Sequence, residues 1–545
     1  MSASGVPSNR LDRADHGHDD LRADVVVVGG GHNGLIAAAY LARAGVDTLV
    51  VEARDSVGGC ASTVSDLGAR FNICNCDHTL IRAMPFMEHL DLVEHGLEYV
   101  ESEVSMVHAY HDGADPWVFL HDVDAHLETL SSTHPHWIDG YRRYLRDALD
   151  VAQLIVDNAR RAPSRRTILG NVTRRRGRGA ARLLEWSRMS ASAVFARYSD
   201  DWRLWMPAVS TGPTVWGVHP DTPGTGLAAA LYAIRHVVHT GRPVGGSGSL
   251  TDAVERSFRA AGGRAITGTR VVGLATSGSG VRGVRLADGR LIAAGRILVA
   301  SDPQRMFAEW LDGGIGSRGG RAGAEVERWR AMPVHDGYES KLDAVLTALP
   351  EPLHIARLTT ALPALTEVDL LGPTSVICPS PTDLDEAHRR RAHGAIAERP
   401  TMLLNIPTAL DPAMIVTPGE HVLSLEVLFT PYAHDWSSSR EPQRWLDVLD
   451  GLCEPGTLRI DRWRAMTPDR YESEFSMHRG HTPAFAGSPI DTFLGRTPEL
   501  TRHRSAIDGL YLSGAATFPG AGVFGAAGRN AAVSVADDLG VALPD

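Results

Sequence analysis

Residues 23–53 read ADVVVVGGGHNGLIAAAYLARAGVDTLVVEA, and the order of their parts decides the fold. Ala23 to Val28 is an apolar, β-branched run, the composition of a strand buried on both faces. Gly29, Gly31 and Gly34 follow in GxGxxG spacing. The first glycine allows a tight turn, the second lets the backbone approach a pyrophosphate, and the third lets helix and strand pack closely. An alanine-rich helix is predicted over Leu35 to Ala44, ended by Gly45. VDTLVVEA then forms a second strand with Glu52 at its end, 21 residues after Gly31. A carboxylate there accepts hydrogen bonds from a ribose 2′-OH and disfavours NADP, whose 2′-phosphate it would repel. FAD and NAD both remain open on these residues alone. Just beyond, ARDSVGG places Arg54, Gly58 and Gly59 for another close backbone approach with a cation near cofactor phosphates; a plain surface turn is the alternative.

Working outward, a chain of 545 residues is too long for one ordinary core, so two or three domains are expected. An apolar content of 43% with 22% charged residues makes it globular. A formal charge of −11 argues against nucleic acid as a partner. The five cysteines, an odd and sparse set, suit a reducing cytoplasm. Residues 1–22 are polar and read as a flexible leader rather than a signal peptide. Residues 23–90, 231–305 and 481–545 are expected to form one nucleotide domain. Residues 91–230 and 306–480 are expected to form a substrate domain, helical in its first part.

The helical reading rests on amphipathic segments such as PHWIDGYRRYLRDALDVAQLIVDNA, which begins at Pro135. Residues 160–188 then hold ten arginines against one acid, Glu185. A solvated segment, peripheral contact with anionic lipid or a polyanionic partner, and an entrance for an anionic substrate all remain open for it. A second αβ signal starts near 241, with a helix at Leu250 to Ala260, a strand near Thr269 to Leu274 and a hairpin at Asp288 and Gly289. It closes on the apolar RILVAS, placed to lie beside the first nucleotide unit. Val271 or Val272 would press on an adenine or fill the core. SKLDAVLTALP, TMLLNIP and HVLSLEVLFTPY alternate as strands of an antiparallel sheet, with one apolar face and one varied face that would wall an organic substrate.

Candidate chemistry is sparse. FNICNCDH gathers Cys74, Cys76, Asp77 and His78, but the one-residue gap between the cysteines suits no dithiol motif. No second cluster completes a tetrahedral metal site, so no metal is expected. His78 stands as a weak candidate near the flavin. Neither a nucleophile elbow nor a phosphate-binding GxxxxGK is present. This fits a flavin, whose N5 takes a hydride directly while the protein positions it.

VVVVGGGHNGLIAAAYLARAGVDTLVVEARDSVGG, GRPVGGSGSLTDAVERSFRAAGG and GLYLSGAATFPGAGVFGAAGRNAA together resemble the phytoene desaturase-like, carotenoid-oxidoreductase group of FAD-dependent enzymes in the amine-oxidase superfamily. The nearest resemblance is to the branch of pyridine nucleotide-disulfide oxidoreductase domain-containing protein 2. It implies a Rossmann-like α/β FAD domain built from discontinuous segments, beside an α+β substrate domain with an antiparallel sheet. It implies FAD along Gly29, Gly31, Gly34, Glu52, Arg54, Gly58 and Gly59, with Val271 at the adenine and Gly514, Ala515, Gly522, Val523 and Phe524 at the flavin end. The disulfide-reductase label is not carried over, for want of a dithiol. The family pattern departs at Gly514-Ala515-Ala516, where many flavoproteins place an acid.

The resemblance further implies hydride removal from a carbon of an apolar or amphipathic substrate, isoprenoid or carotenoid-like, as a desaturase or oxidase. Electrons would pass to oxygen or a quinone. An oxidase of an amine or other small polar metabolite is the alternative enzyme class. A non-catalytic flavoprotein scaffold, binding a membrane or protein partner through the arginine segment, is the non-enzymatic one. A cytoplasmic protein is expected, with a peripheral membrane position left open. The closing GLYLSGAA reads as a strand rejoining the first sheet, so the second glycine turn grips the other end of the same dinucleotide.

Overall fold

A computed structural model describes residues 22–74, 76–213, 215, 217–311, 319–334, 336–481 and 494–544. The leader expected over residues 1–22 lies outside the described residues, apart from Arg22.

The valine run forms the centre of a five-stranded parallel sheet. Val25–Val28 pairs with Thr48–Val51 on one side and with Arg296–Val299 on the other. Leu510–Leu512 and Arg264–Ile266 form the two edges. Strands almost 500 residues apart thus share one sheet. All four valines are buried, as strands covered on both faces require. The first helix runs from His32 to Arg43 and starts earlier than predicted, because Gly31 already serves as its N-cap. It packs between the helices Gly248–Ala260 and Ala526–Leu539, where Leu35, Ile36, Leu250, Phe258 and Val535 share a core. Each such fully buried aliphatic or aromatic side chain contributes roughly 1.5–3 kcal/mol. A three-stranded antiparallel sheet of Val271–Ser277, Gly280–Leu286 and Leu291–Ala293 covers the other face.

The second layer is a seven-stranded sheet in the order Ile460–Met466, Glu339–Leu346, His421–Leu428, Met402–Asn405, Thr374–Cys378, Val104–Tyr110 and Trp117–Leu120. It is antiparallel except where Thr374–Cys378 runs parallel to Val104–Tyr110. Those last two strands of the order come from a stretch read as helical from sequence. Val104–Tyr110 is buried at every position, so no period-2 alternation marks it. The sheet's apolar face, including Leu342, Leu404, Leu423 and Leu425, is sealed into a core with Trp445. The opposite face carries Glu339, Lys341, Asp343, Ser424 and Glu426, following the pleat.

Helices cap this sheet. Ile138–Ala159 buries Tyr141, Tyr144, Leu145 and Ala148 in a cluster with Phe195 and Trp205. The arginine segment follows as two short helices, Arg165–Arg174 and Ala180–Trp186. The long helix supplies acids that the local count of residues 160–188 leaves out. Asp157 pairs with Arg175 at 2.5 Å and Arg174 at 3.7 Å, and Asp147 pairs with Arg182 at 3.2 Å. Part of the apparent positive charge is therefore neutralised within the fold. Among the described residues no helix is long and apolar enough to cross a membrane.

Candidate active site

The first glycine turn is built by steric necessity at two positions and left open at a third. Gly29 has φ +100°, and a Cβ there would sit 2.9 Å from the Ala300 carbonyl oxygen. A Cβ on Gly34 would lie 2.0 Å from the Gly29 carbonyl oxygen, so the helix can leave the strand only through glycine. Gly31 differs: the nearest atom to its Cβ position is Gly59 Cα at 3.9 Å. Its bare backbone faces a cavity of about 430 Å³ that Gly29 and Gly34 also line. Glu52 closes the turn, its two carboxylate oxygens accepting from Gly30 N–H at 2.7 Å and Arg54 N–H at 2.9 Å. Each oxygen keeps a further acceptor position. The Arg54 guanidinium donates to Ser62 Oγ at 3.1 Å and lies 4.3 Å over the Phe475 ring.

The second glycine turn meets the first. Leu510–Leu512 ends at Gly514, φ +97°, and the closing helix begins after Gly525. A Cβ on Gly528 would fall 2.2 Å from the Asn33 carbonyl oxygen, so this helix rests directly on the start of the first one. Gly514, Ala515, Gly522 and Val523 line the same cavity as Gly31. Glu52, Arg54, Gly59 and Val271 line it too.

Three predicted residues stand elsewhere. Gly58 is not in the lining; its N–H donates to Gly30 O at 2.8 Å and pins the two loops together. Phe524 packs toward the helical core instead. His78 corrects an expectation: it is fully buried outside the cavity lining, with Nδ1 3.0 Å from Tyr99 Oη and Nε2 3.2 Å from Ser247 Oγ. Burial drives its pKa down to about 3, which keeps the ring neutral and unsuited to proton transfer at neutral pH.

The far wall is the polar face of the seven-stranded sheet, and sequence reasoning named none of its residues. Lys341 Nζ donates to Asn72 O at 2.6 Å and to Asp343, which also holds Arg464 at 3.0 Å and Ser424 Oγ at 2.9 Å. Beside this network the Glu339 and Glu426 side chains are diagonal neighbours on adjacent strands, close enough for each carboxyl to shift the other's ionisation. They are half-buried, opening on the cavity rather than on bulk water. Burial, and then the neighbouring carboxyl, pushes Glu339 well above the carboxylate range; burial raises Glu426 as well. Two carboxyls so placed hold a proton between them.

A raised folded-state pKa means that the unfolded chain releases its protons first as pH rises. The pair's contribution to stability is then full below about pH 4.3 and is lost as pH climbs toward the folded values. Glu339→Gln removes one of the two acids. Its stability in urea should gain on the wild type from about pH 5 to about pH 8. A difference independent of pH would mean that no proton is shared.

The cysteines are also arranged differently from their sequence spacing. The hairpin Thr63–Asp66 and Ala69–Asn72 pairs Thr63 with Asn72 and brings Cys60 beside Cys74. Both line the cavity, where Cys60 Sγ donates to Met477 Sδ at 3.4 Å, and the proximity of the two thiols lowers the pKa of Cys60 and raises that of Cys74. The pair missing from the Cys74–Cys76 spacing is therefore assembled from Cys60 and Cys74, both free thiols.

The donor set fits FAD. A backbone cradle that a Cβ at Gly31 would fill, an acceptor carboxylate at one end and a second bare loop at the other suit an extended dinucleotide. Two nucleotide turns converging on one cavity, next to a separate sheet, define an FAD-dependent oxidoreductase. The sequence profile of flavin containing amine oxidoreductases matches residues 34–308, and the chain belongs to that family. Pyridine nucleotide-disulfide oxidoreductase domain-containing protein 2 of Rattus norvegicus is 28% identical over 569 residues, covering 95% of this chain and 94% of the relative. A lycopene-forming phytoene desaturase of Paracoccus sp. is 25% identical, covering 94% and 96%. In fold alone, the chain is similar to cyclohexylamine oxidase from Brevibacterium oxydans, with a TM-score of 0.56 at 15% identity over 95% of this chain and 99% of that one.

Proposed function

We propose that this enzyme removes a hydride from a carbon of an amphipathic organic substrate, held between the two glycine turns and the polar sheet face. The observation that carries this reading is the mixed lining of one cavity. Met106, Val215 and Leu403 offer apolar contact, while Glu339, Glu426 and Asn405 offer hydrogen bonds. When bound, the flavin supplies the hydride acceptor. Gly31, Glu52, Arg54 and Gly59 would hold its dinucleotide part, Val271 its adenine, and Gly514, Ala515, Gly522 and Val523 its ring end. Lys341, fixed by Asn72 and Asp343, orders the wall rather than moving a proton. The phytoene desaturase among the relatives supports a carbon–hydrogen donor with a large apolar part. Electrons leave to oxygen or a quinone.

The Glu339–Glu426 pair favours a second reading, an oxidase of an amine or small polar metabolite, since a carboxyl pair accepts a cationic head group. Anaerobic mixing separates the two. The FAD-loaded protein should absorb near about 375 and 450 nm, and a true donor should bleach the second band within the turnover time. Bleaching by small amines but not by amphipathic donors would favour the second reading. A preparation that stays colourless after FAD is added would overturn both.

A further inference from the structure

Among the described residues two cavity-lining arginines, Arg235 and Arg270, have side chains with no hydrogen bond or ion pair; Arg270 is exposed to solvent and Arg235 is half-buried. Its recorded contacts are a ring face, with the guanidinium 5.6 Å from the Tyr232 centroid, and its own carbonyl, which pairs with His121 Nδ1 at 2.5 Å. Arg242, seven residues on, shows what a structural arginine in this protein looks like. It donates to Asp77 at 2.6 Å, Gly372 O at 2.6 Å and Asn405 at 2.6 Å. Half-buried on the cavity wall, the Arg235 guanidinium presents up to five donors that no group among the described residues takes.

Three hydroxyls lining the same cavity are linked to one another. Thr79 Oγ1 lies 2.9 Å from Thr240 Oγ1, which lies 3.3 Å from Ser105 Oγ. All three residues line the cavity with Arg235. The nearby carboxylate, Asp77, is already taken by Arg242 and Thr374. Two arginines and one aspartate leave a single positive charge, which matches a monoanion better than a dianion.

We propose that Arg235, with the Thr79, Thr240 and Ser105 hydroxyls, forms a subsite for a carboxylate carried by the substrate. The substrate class is then an amphipathic carboxylic acid, its planar head group matched to the guanidinium fork. On the sheet this subsite lies beside Val104–Tyr110 and Thr374–Cys378, while Glu339 and Glu426 lie on Glu339–Leu346 and His421–Leu428. Spaced at about 4.8 Å per strand, the anion subsite and the acid pair stand well apart along the wall. An acid held at Arg235 therefore keeps its charge away from the two carboxyls. This inference rests on the cavity being the substrate chamber of the flavoenzyme.

Calorimetric titration of the FAD-loaded protein with octanoate, octanamide and octyl phosphate tests it. Octanoate should bind, and Arg235→Gln should weaken it by about tenfold or more, with Arg235→Lys in between. Octanamide should bind the wild type no better than octanoate binds Arg235→Gln. Unchanged FAD content and melting temperature in the variant would separate a binding role from a structural one. Equal binding of octanoate and octanamide, octanoate binding unaffected by Arg235→Gln, or clear preference for octyl phosphate would overturn the proposal. The FAD-to-protein ratio of the same samples reports separately on the oxidoreductase reading. A ratio near zero with Arg235-dependent octanoate binding would sink that reading and leave the anion subsite standing.

Discussion

Protein carrying Gly31→Val should fold and purify colourless. Gly31 has an extended backbone, φ −67° and ψ 168°, which valine adopts without strain. Its Cβ meets no atom closer than 3.9 Å, so the fold itself has room for the side chain. The loss of a glycine N-cap costs at most about 1 kcal/mol, so the urea midpoint should fall only slightly. The space the side chain enters is the cavity floor. A branched side chain there blocks the close approach that a pyrophosphate needs. FAD affinity should drop by about 100-fold or more, equivalent to about 2.8 kcal/mol. Gly34→Ala makes the contrast: with its Cβ 2.0 Å from a carbonyl oxygen, it should lose flavin and fold together. A Gly31→Val protein that remains yellow would show that the first turn does not carry the cofactor.

The second large effect lies in the substrate wall. Arg242 is 3% exposed and bonds residues from separate parts of the chain, Asp77, Gly372 and Asn405. Burial opposes ionisation of Asp77, but the Arg242 charge outweighs it and holds that carboxyl below the usual range. Arg242→Met takes the bonded counter-charge from the Asp77 carboxylate, and stability should fall by about 3–5 kcal/mol at neutral pH. A depressed folded-state pKa contributes stability above the ordinary aspartate value and loses it as pH falls through the folded value. The variant lacks that contribution, so its deficit should hold down to about pH 4 and shrink only below it. Replacing both partners, Arg242→Met with Asp77→Leu, should recover most of the loss, because the carboxylate left without its counter-charge is gone. Urea unfolding at several pH values measures all three quantities.

The nucleotide half was legible because its chemistry is local. Gly29, Gly31, Gly34 and Glu52 lie within one strand–helix–strand unit, and steric rules fix what each spacing can do. The tail was legible for a similar reason: Leu510–Leu512 ends in small residues as the first strand does, and it does join the same sheet. The substrate wall was not, since a strand's sequence shows which residues alternate and not which face meets a cavity. Lys341 opposes Glu426 through a register between strands some 80 residues apart. Arg235 lies in a stretch whose helical pattern says nothing of a missing partner. Cys60 and Cys74 needed a hairpin that no turn dipeptide announced. His78 shows the opposite failure: a residue type associated with catalysis that the fold spends on Tyr99 and Ser247.

The chain's two glycine turns are placed nearly 480 residues apart and line one cavity. One cavity should hold one dinucleotide, and flavin stoichiometry tests this most directly. Protein reconstituted with FAD and desalted is denatured by heat, and the released flavin is counted against the chains. One FAD per chain is expected, with no second nucleotide. No flavin retained, or two nucleotides per chain, would contradict it.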